Sequence, residues 1–163
     1  MEENKISKIL LQVSIIISLI GFLDALYLFY MELSGNFQCL INKGIFQCET
    51  VNTSPYAMFL GVHVSLWGVI FYVILIILLF LALFTSNEYW LSFFLPFVGL
   101  WGLGFSIYLT SIEIFVLRLI CEFCLLSAIC SVALFTLILI AKQKKFKSIF
   151  IKLDFWRMFS SHS

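Results

Sequence analysis

Four apolar stretches, each long enough to cross a lipid bilayer, leave this chain few folds to adopt. A hydrocarbon core about 30 Å thick takes about 20 helical residues, and the runs 9–31, 61–84, 89–112 and 119–141 meet that length. The second and third contain no Asp, Glu, Lys or Arg. Inside lipid a backbone amide finds no water, so each run has to close its own hydrogen bonds as a helix. The expected fold is an all-α integral membrane protein, a four-transmembrane-helix bundle with a long loop, 32–60, between helices 1 and 2. Composition agrees: 63 % of residues are hydrophobic and 12 % charged, with a mean hydropathy of +1.10, against about 45–50 % and 25 % in soluble domains.

Charge placement sets the expected orientation. Of ten Lys and Arg, only Lys43 and Arg118 lie away from the two ends of the chain. Basic residues are retained on the cytoplasmic side, so both termini are expected there and an even number of spans agrees. Residues 1–141 read as the membrane domain and 142–163 as a basic cytoplasmic tail, an anchor touching anionic lipid rather than a nucleic-acid site. Lys5 and Lys8 before an apolar run resemble a signal peptide, but the run is too long and no small-residue cleavage pattern follows. It is expected to stay as the first span. Asp24 interrupts that span. An intramembrane carboxylate suggests function, yet its place within two turns of the outer end favours a structural role, reaching water or a neighbouring helix.

The loop 32–60 holds Gly35, Asn36, Asn42, Lys43, Gly44, Asn52, Ser54 and Pro55, and long loops in small proteins are usually functional. Its last piece, Pro55 to Leu60, predicts a short interfacial helix with Pro in the first turn. In the following GVHVSLWG, Ser65 and His63 read on their own chemistry as a packed hydroxyl and a solvated interfacial residue. Residues 85–88 predict a tight turn between antiparallel spans. Pro96, Gly99, Gly102 and Gly104 would thin or kink the third span and admit a neighbour or a flat ligand. A weak repeat is also visible: Gly21, Tyr27 and Glu32 have the spacing of Gly102, Tyr108 and Glu113, and each copy leads to a cysteine pair.

The cysteines carry the chemistry. Cys39 and Cys48 lie in the loop, and Cys121 and Cys124 form a Cys-x-x-Cys at the start of the fourth span. Under the expected topology all four face the outer, disulfide-permissive side. Cys130 lies deeper in the span, where a lone cysteine is usually a small hydrophobe. A zinc site is disfavoured by the wide spacing of Cys39 and Cys48; two inert disulfides are the structural alternative. A pair at a helix start favours exchange instead, because the helix N-terminus stabilises a thiolate. Arg118 would add to that and Glu122 oppose it. A redox pair here needs a protein thiol donor on the aqueous side and a two-electron acceptor soluble in lipid. A planar, apolar quinone meets the second need, and the aromatic content of 18 % could build its pocket. No Gly-rich dinucleotide fingerprint or haem-attachment motif is present.

Cys39 and Cys48, the following ETVNTSPYAMFLGV, SLWGVIFY from Ser65 to Tyr72, and YLTSIEIFVLRLICEFCLLSA from Tyr108 to Ala128 together resemble the vitamin K epoxide reductase family. The likeness spans residues 21–141 and is greater to the prokaryotic branch, which works in disulfide-bond formation. The resemblance implies a bundle around a quinone near the outer face, with Cys124 beside the quinone and Cys121 its loop-facing partner. It further implies that Cys48 exchanges with Cys121, that Cys39 meets a thioredoxin-like protein, and that Ser65 matches a serine near the active pair. His63 departs from a frequent Pro. Val64 and Ala128 depart from the Asn and Tyr that the animal enzymes associate with vitamin K. These departures favour a thiol oxidase of a prokaryotic inner membrane, feeding ubiquinone, menaquinone or a vitamin K type quinone, over an epoxide reductase. The segment after Ala141 is short for a fused thioredoxin domain, so a separate partner is expected. The other quinone-linked four-helix disulfide oxidases carry their Cys-x-x-Cys between the first two spans, and a non-enzymatic protein with structural disulfides is the remaining alternative.

Overall fold

The computed structural model of the chain describes residues 2–35, 44–84 and 89–160. Helix α1 runs Glu2–Ser34 and a short α2 covers Cys48–Asn52. A 3-10 turn at Pro55–Ala57 then leads into a two-strand hairpin, β1 Met58–Phe59 and β2 Val62–His63. Helix α3 is Val64–Phe84, α4 is Tyr89–Ser111 with a π-helical turn Ile112–Leu117 beyond it, and α5 is Glu122–Ser160. Four segments are long and apolar enough to span a membrane: Lys5–Ser34, Val64–Phe84, Phe93–Leu117 and Glu122–Gln143. The fold is the four-helix membrane bundle that the apolar runs require.

The helices begin and end where backbone geometry changes. Helix α3 starts three residues later than its apolar run, because Leu60 at φ 55° and Gly61 at φ 78° make the turn of the β1–β2 hairpin. The expected helix is therefore only a three-residue 3-10 helix, Pro55–Ala57 with Pro in its first turn, and the rest of the segment to Leu60 is strand and turn. Helix α5 starts at Glu122 because Arg118, at φ 55°, closes the π turn and Ile120 leaves to pair with Phe46. Helix α5 also continues through the basic residues to Ser160, and α1 already begins at Glu2. The expected turn at 85–88 and the loop residues Asn36, Cys39, Asn42 and Lys43 lie outside the described residues.

Helix α1 packs along α3 and α5, and α4 packs on α5, while α3 and α4 meet much less closely. The core holds Leu11, Ala25, Tyr72, Leu75, Leu79, Leu134 and Ile138. Along α1, Ser14 and Ser18 donate to the carbonyls of Leu10 and Ser14 at 2.9 and 2.8 Å, so these buried hydroxyls are satisfied within the helix. Two glycines make room for rings from α3: a Cβ at Gly21 would collide with the edge of the Tyr72 ring, and one at Gly102 with the edge of the Phe71 ring. Gly102 thus admits a neighbouring side chain, whereas the space beside Gly104 is open. The gap between α3 and α4 remains as a cavity at the end of the bundle that carries the cysteines.

Candidate redox site

The loop is stitched onto the chain just before the Cys-x-x-Cys. Phe46 bridges Ile120 in parallel, Gln47 N–H donates to the Ile120 carbonyl at 3.3 Å, and Ile120 N–H donates to that of Ile45 at 2.8 Å. This register lays α2 over Cys121, which is completely buried against Cys48 and Val51. Cys121 is the residue before α5, and its Sγ accepts the Cys124 N–H at 3.4 Å, the bond an N-cap side chain makes. From α2, Asn52 Nδ2 donates to the Cys48 carbonyl at 2.8 Å and lies 3.5 Å from Cys121 Sγ. These contacts, the Cys124 thiol hydrogen bond first, hold the Cys121 thiol below its ordinary pKa against burial and the Glu113 charge. Arg118 is exposed, and neither it nor Glu122 figures among these causes. Hydrogen bonds, rather than the neighbouring charges expected from sequence, tune the sulfur.

Glu113 is the residue that the sequence chemistry left unassigned. The π turn carries its carboxylate inward, where it is 5 % exposed, accepts the Cys121 N–H at 3.1 Å and hydrogen-bonds the Cys124 thiol. Only its place in the weak repeat marked it in the sequence, and a regular helix would not have aimed it there. Asn52 was equally hidden, as one polar residue among several in the loop.

Cys48 opens α2, is 2 % exposed and is disulfide-bonded. Cys121, Cys124 and Cys130 are free thiols, so the partner of Cys48 lies outside the described residues, as does Cys39. Cys130 is buried and is not among the residues lining the cavity.

Beneath Cys124 the cavity encloses about 450 Å³. Phe71, Phe97, Trp101 and Phe105 give it flat apolar walls, and Cys124, Ser127 and Ser131 line it from one face of α5. Tyr72 donates its hydroxyl hydrogen to the Ser127 carbonyl at 3.2 Å and meets Ser127 Oγ at 3.0 Å. Ser65 lies on the wall and donates to Glu32 Oε2 at 3.1 Å. His63 is not a solvated residue: it is 7 % exposed, with Nδ1 2.9 Å from Ser65 Oγ and 3.1 Å from Glu32 Oε2. Its Nε2 lies 2.9 Å from the Asn52 carbonyl. A carbonyl only accepts, so Nε2 carries a hydrogen. His63 and Ser65 thereby brace the residue that touches Cys121.

A flat, largely apolar cavity with a thiol at its edge, joined to a polar cluster of hydrogen-bonded sulfur, is suited to two-electron exchange between a dithiol and an apolar acceptor. Among protein families, the one described as the vitamin K epoxide reductase family matches residues 12–139. The chain belongs to this family. No curated protein matches the chain as a relative. As a member of the vitamin K epoxide reductase family it is an integral membrane thiol-disulfide oxidoreductase, and proteins of this family act with quinones. The matched residues include Cys39, Cys48, Ser65, Cys121 and Cys124, and most of the four spans.

Proposed function

We propose that this member of the family, of the prokaryotic disulfide-forming kind, oxidises the dithiol of a separate thioredoxin-like protein and delivers the electron pair to a quinone. The cysteine end of the bundle would face the outer side of the inner membrane, with both termini in the cytoplasm. The observation that carries this reading is the double position of Cys124, in hydrogen-bond contact with Cys121 and at the same time on the wall of the apolar cavity.

The steps follow from thiol exchange. A partner thiolate attacks the loop disulfide of Cys39 and Cys48, and the partner leaves oxidised while the loop pair is reduced. Cys48 then attacks Cys121 in an oxidised Cys121–Cys124 pair, so that the loop disulfide re-forms and the membrane pair is left as two thiols. A disulfide-bonded Cys48 above free Cys121 and Cys124 is the arrangement expected after this inward transfer. Glu113, hydrogen-bonded to Cys124, accepts its thiol proton. Cys121, held towards its thiolate, closes the disulfide on Cys124 as the electron pair passes to the quinone. The quinone, of ubiquinone, menaquinone or vitamin K type, takes up two electrons and two protons as one disulfide forms, so the exchange balances.

Purified protein, a reduced bacterial thioredoxin and menadione, followed by stopped-flow quinone absorbance, test the relay. Cys124→Ser and Cys121→Ser should abolish quinone reduction, Cys39→Ser and Cys48→Ser should abolish it with thioredoxin as donor, and Cys130→Ser should not change it. Reduction by Cys124→Ser at the parent rate would sink the proposal. Loop disulfides that stay intact in the presence of reduced thioredoxin, read by alkylation mass shifts, would support inert staples instead.

A further inference from the structure

Asp24 is a buried carboxylate that the relay does not use. It is 7 % exposed, it lines the cavity, and its Oδ2 is buried without a hydrogen-bond partner among the described residues. Among the described residues no Lys or Arg lines the cavity to pair with it. At 1.5 Å per residue, Asp24 stands about 15 Å below the cysteine end of α1, Tyr72 about 12 Å below that of α3 and Ser131 about 14 Å below that of α5. The three therefore share one level, on the cavity wall below Cys124. Elsewhere on this wall the hydroxyls of Tyr72, Ser127 and Ser65 are already engaged with protein atoms. An uncompensated polar oxygen at such depth is expensive to maintain, and an apolar pocket with a few polar groups uses them to orient its ligand.

We infer that Asp24, as the acid, donates a hydrogen bond and then a proton to a ring oxygen of the quinone, making it a catalytic residue of the cavity rather than a structural one. This rests on the quinone reading above and deepens it. The proton balance is unchanged: two protons leave the thiols of Cys121 and Cys124 as their disulfide forms, and two arrive on the quinone oxygens. One of the two comes from Asp24, and the proton that Glu113 takes from Cys124 makes up the balance when Asp24 is protonated again.

Trp67 and Trp101 line the same cavity, so binding can be read without turnover. Menadione should quench tryptophan fluorescence of the full-length protein in lipid nanodiscs. Asp24→Leu should bind menadione about 10-fold more weakly, the size of one lost hydrogen bond in affinity, and Asp24→Asn, which keeps a donor, within about threefold. Infrared difference spectra should show one carbonyl stretch of bound menadione lowered in the parent and in Asp24→Asn, and not in Asp24→Leu. In turnover, Asp24→Asn should keep its KM but lose about 100-fold in kcat, the usual contribution of a general acid. If Asp24→Leu does not fold, the isosteric Asp24→Asn carries the test alone. An unchanged kcat in Asp24→Asn, or equal binding and equal carbonyl spectra in Asp24→Leu, overturns the assignment and leaves the quinone reading intact. Absence of quenching in the parent protein overturns both.

Discussion

The same short pattern occurs twice around the cavity and ends in two different places. On α1 it is Gly21, Tyr27 and Glu32; on α4 and its π turn it is Gly102, Tyr108 and Glu113, with identical spacing. The early part is structurally alike. Each glycine makes room for a ring from α3, Tyr72 in one case and Phe71 in the other. Three residues on, Asp24 and Phe105 both line the cavity, one offering a carboxyl and the other an apolar face. The ends diverge because α1 stays α-helical to Ser34 whereas the second copy widens into a π turn. Glu32 is left with its side chain 29 % exposed, bonded to Ser65 and facing His63; Glu113 is drawn in to 5 % exposure, against the Cys121 N–H and the Cys124 thiol. A local change of helical winding, which often marks functional sites, decides whether a carboxylate sits at the rim or beside the Cys-x-x-Cys.

Exchanging charge for amide at the two positions should separate them most strongly. Glu113→Gln keeps an oxygen for the Cys121 N–H but cannot take the Cys124 proton, and menadione reduction is expected to fall about 100-fold. Glu32→Gln should stay within about threefold, as expected of a rim group that touches neither sulfur. Equal losses in the two variants, measured as kcat with the same reduced thioredoxin, would mean that the π turn makes no functional difference. Glu113→Ala adds a second effect, since it leaves the buried Cys121 N–H without its acceptor; a loss of about 1–3 kcal/mol in stability follows, read by thermal unfolding.

The two glycines give a smaller and purely structural contrast. Tyr72 is 1 % exposed and its hydroxyl is pinned to Ser127, so its ring cannot retreat from a new methyl group. Gly21→Ala should therefore destabilise by about 1–3 kcal/mol. Phe71 lines the cavity and has open space to turn into, so Gly102→Ala should unfold at a temperature nearer the parent's while binding menadione more weakly. A greater loss of stability in Gly102→Ala than in Gly21→Ala would show that Phe71 is the better anchored ring.

What the sequence revealed follows the same division. Four spans are legible because lipid permits only long, self-satisfied apolar segments, and the Cys-x-x-Cys is legible because its position at the start of a span fixes its depth. The contacts around it are not. Asn52 meets Cys121 only once Phe46 has paired with Ile120, a contact between distant parts of the chain. His63 lies in a run that reads as interfacial, yet the β1–β2 hairpin turns it inward to the Asn52 carbonyl. Glu113 depends on a π turn with no residue signature of its own. Pattern reading locates elements; it does not show which buried polar groups will find one another after they dock.

The smallest expected effect tests whether that docking reaches the sulfur. Burial and the Glu113 charge push the Cys121 thiol up, while hydrogen bonds from Cys124 and Asn52 push it down, and the balance falls below the ordinary value. Asn52→Ala should move the titration of Cys121 up, and Glu113→Gln should move it down by removing a nearby negative charge. Glu32→Gln, lying outside this set, should leave it in place. Thiolate ultraviolet absorbance against pH reports the titration directly in a protein where Cys39, Cys48 and Cys130 are Ser. Stability has a matching sign. The folded state releases this proton at lower pH than the unfolded chain, so its contribution is fully present above the unfolded pKa and is lost as pH falls through the folded one. Asn52→Ala should narrow that window, whereas Glu113→Gln should widen it. If Glu32→Gln shifted Cys121 as far as Glu113→Gln does, the rim carboxylate would be acting on the cysteine pair after all, and the two copies of the pattern would be equivalent in effect despite their different winding.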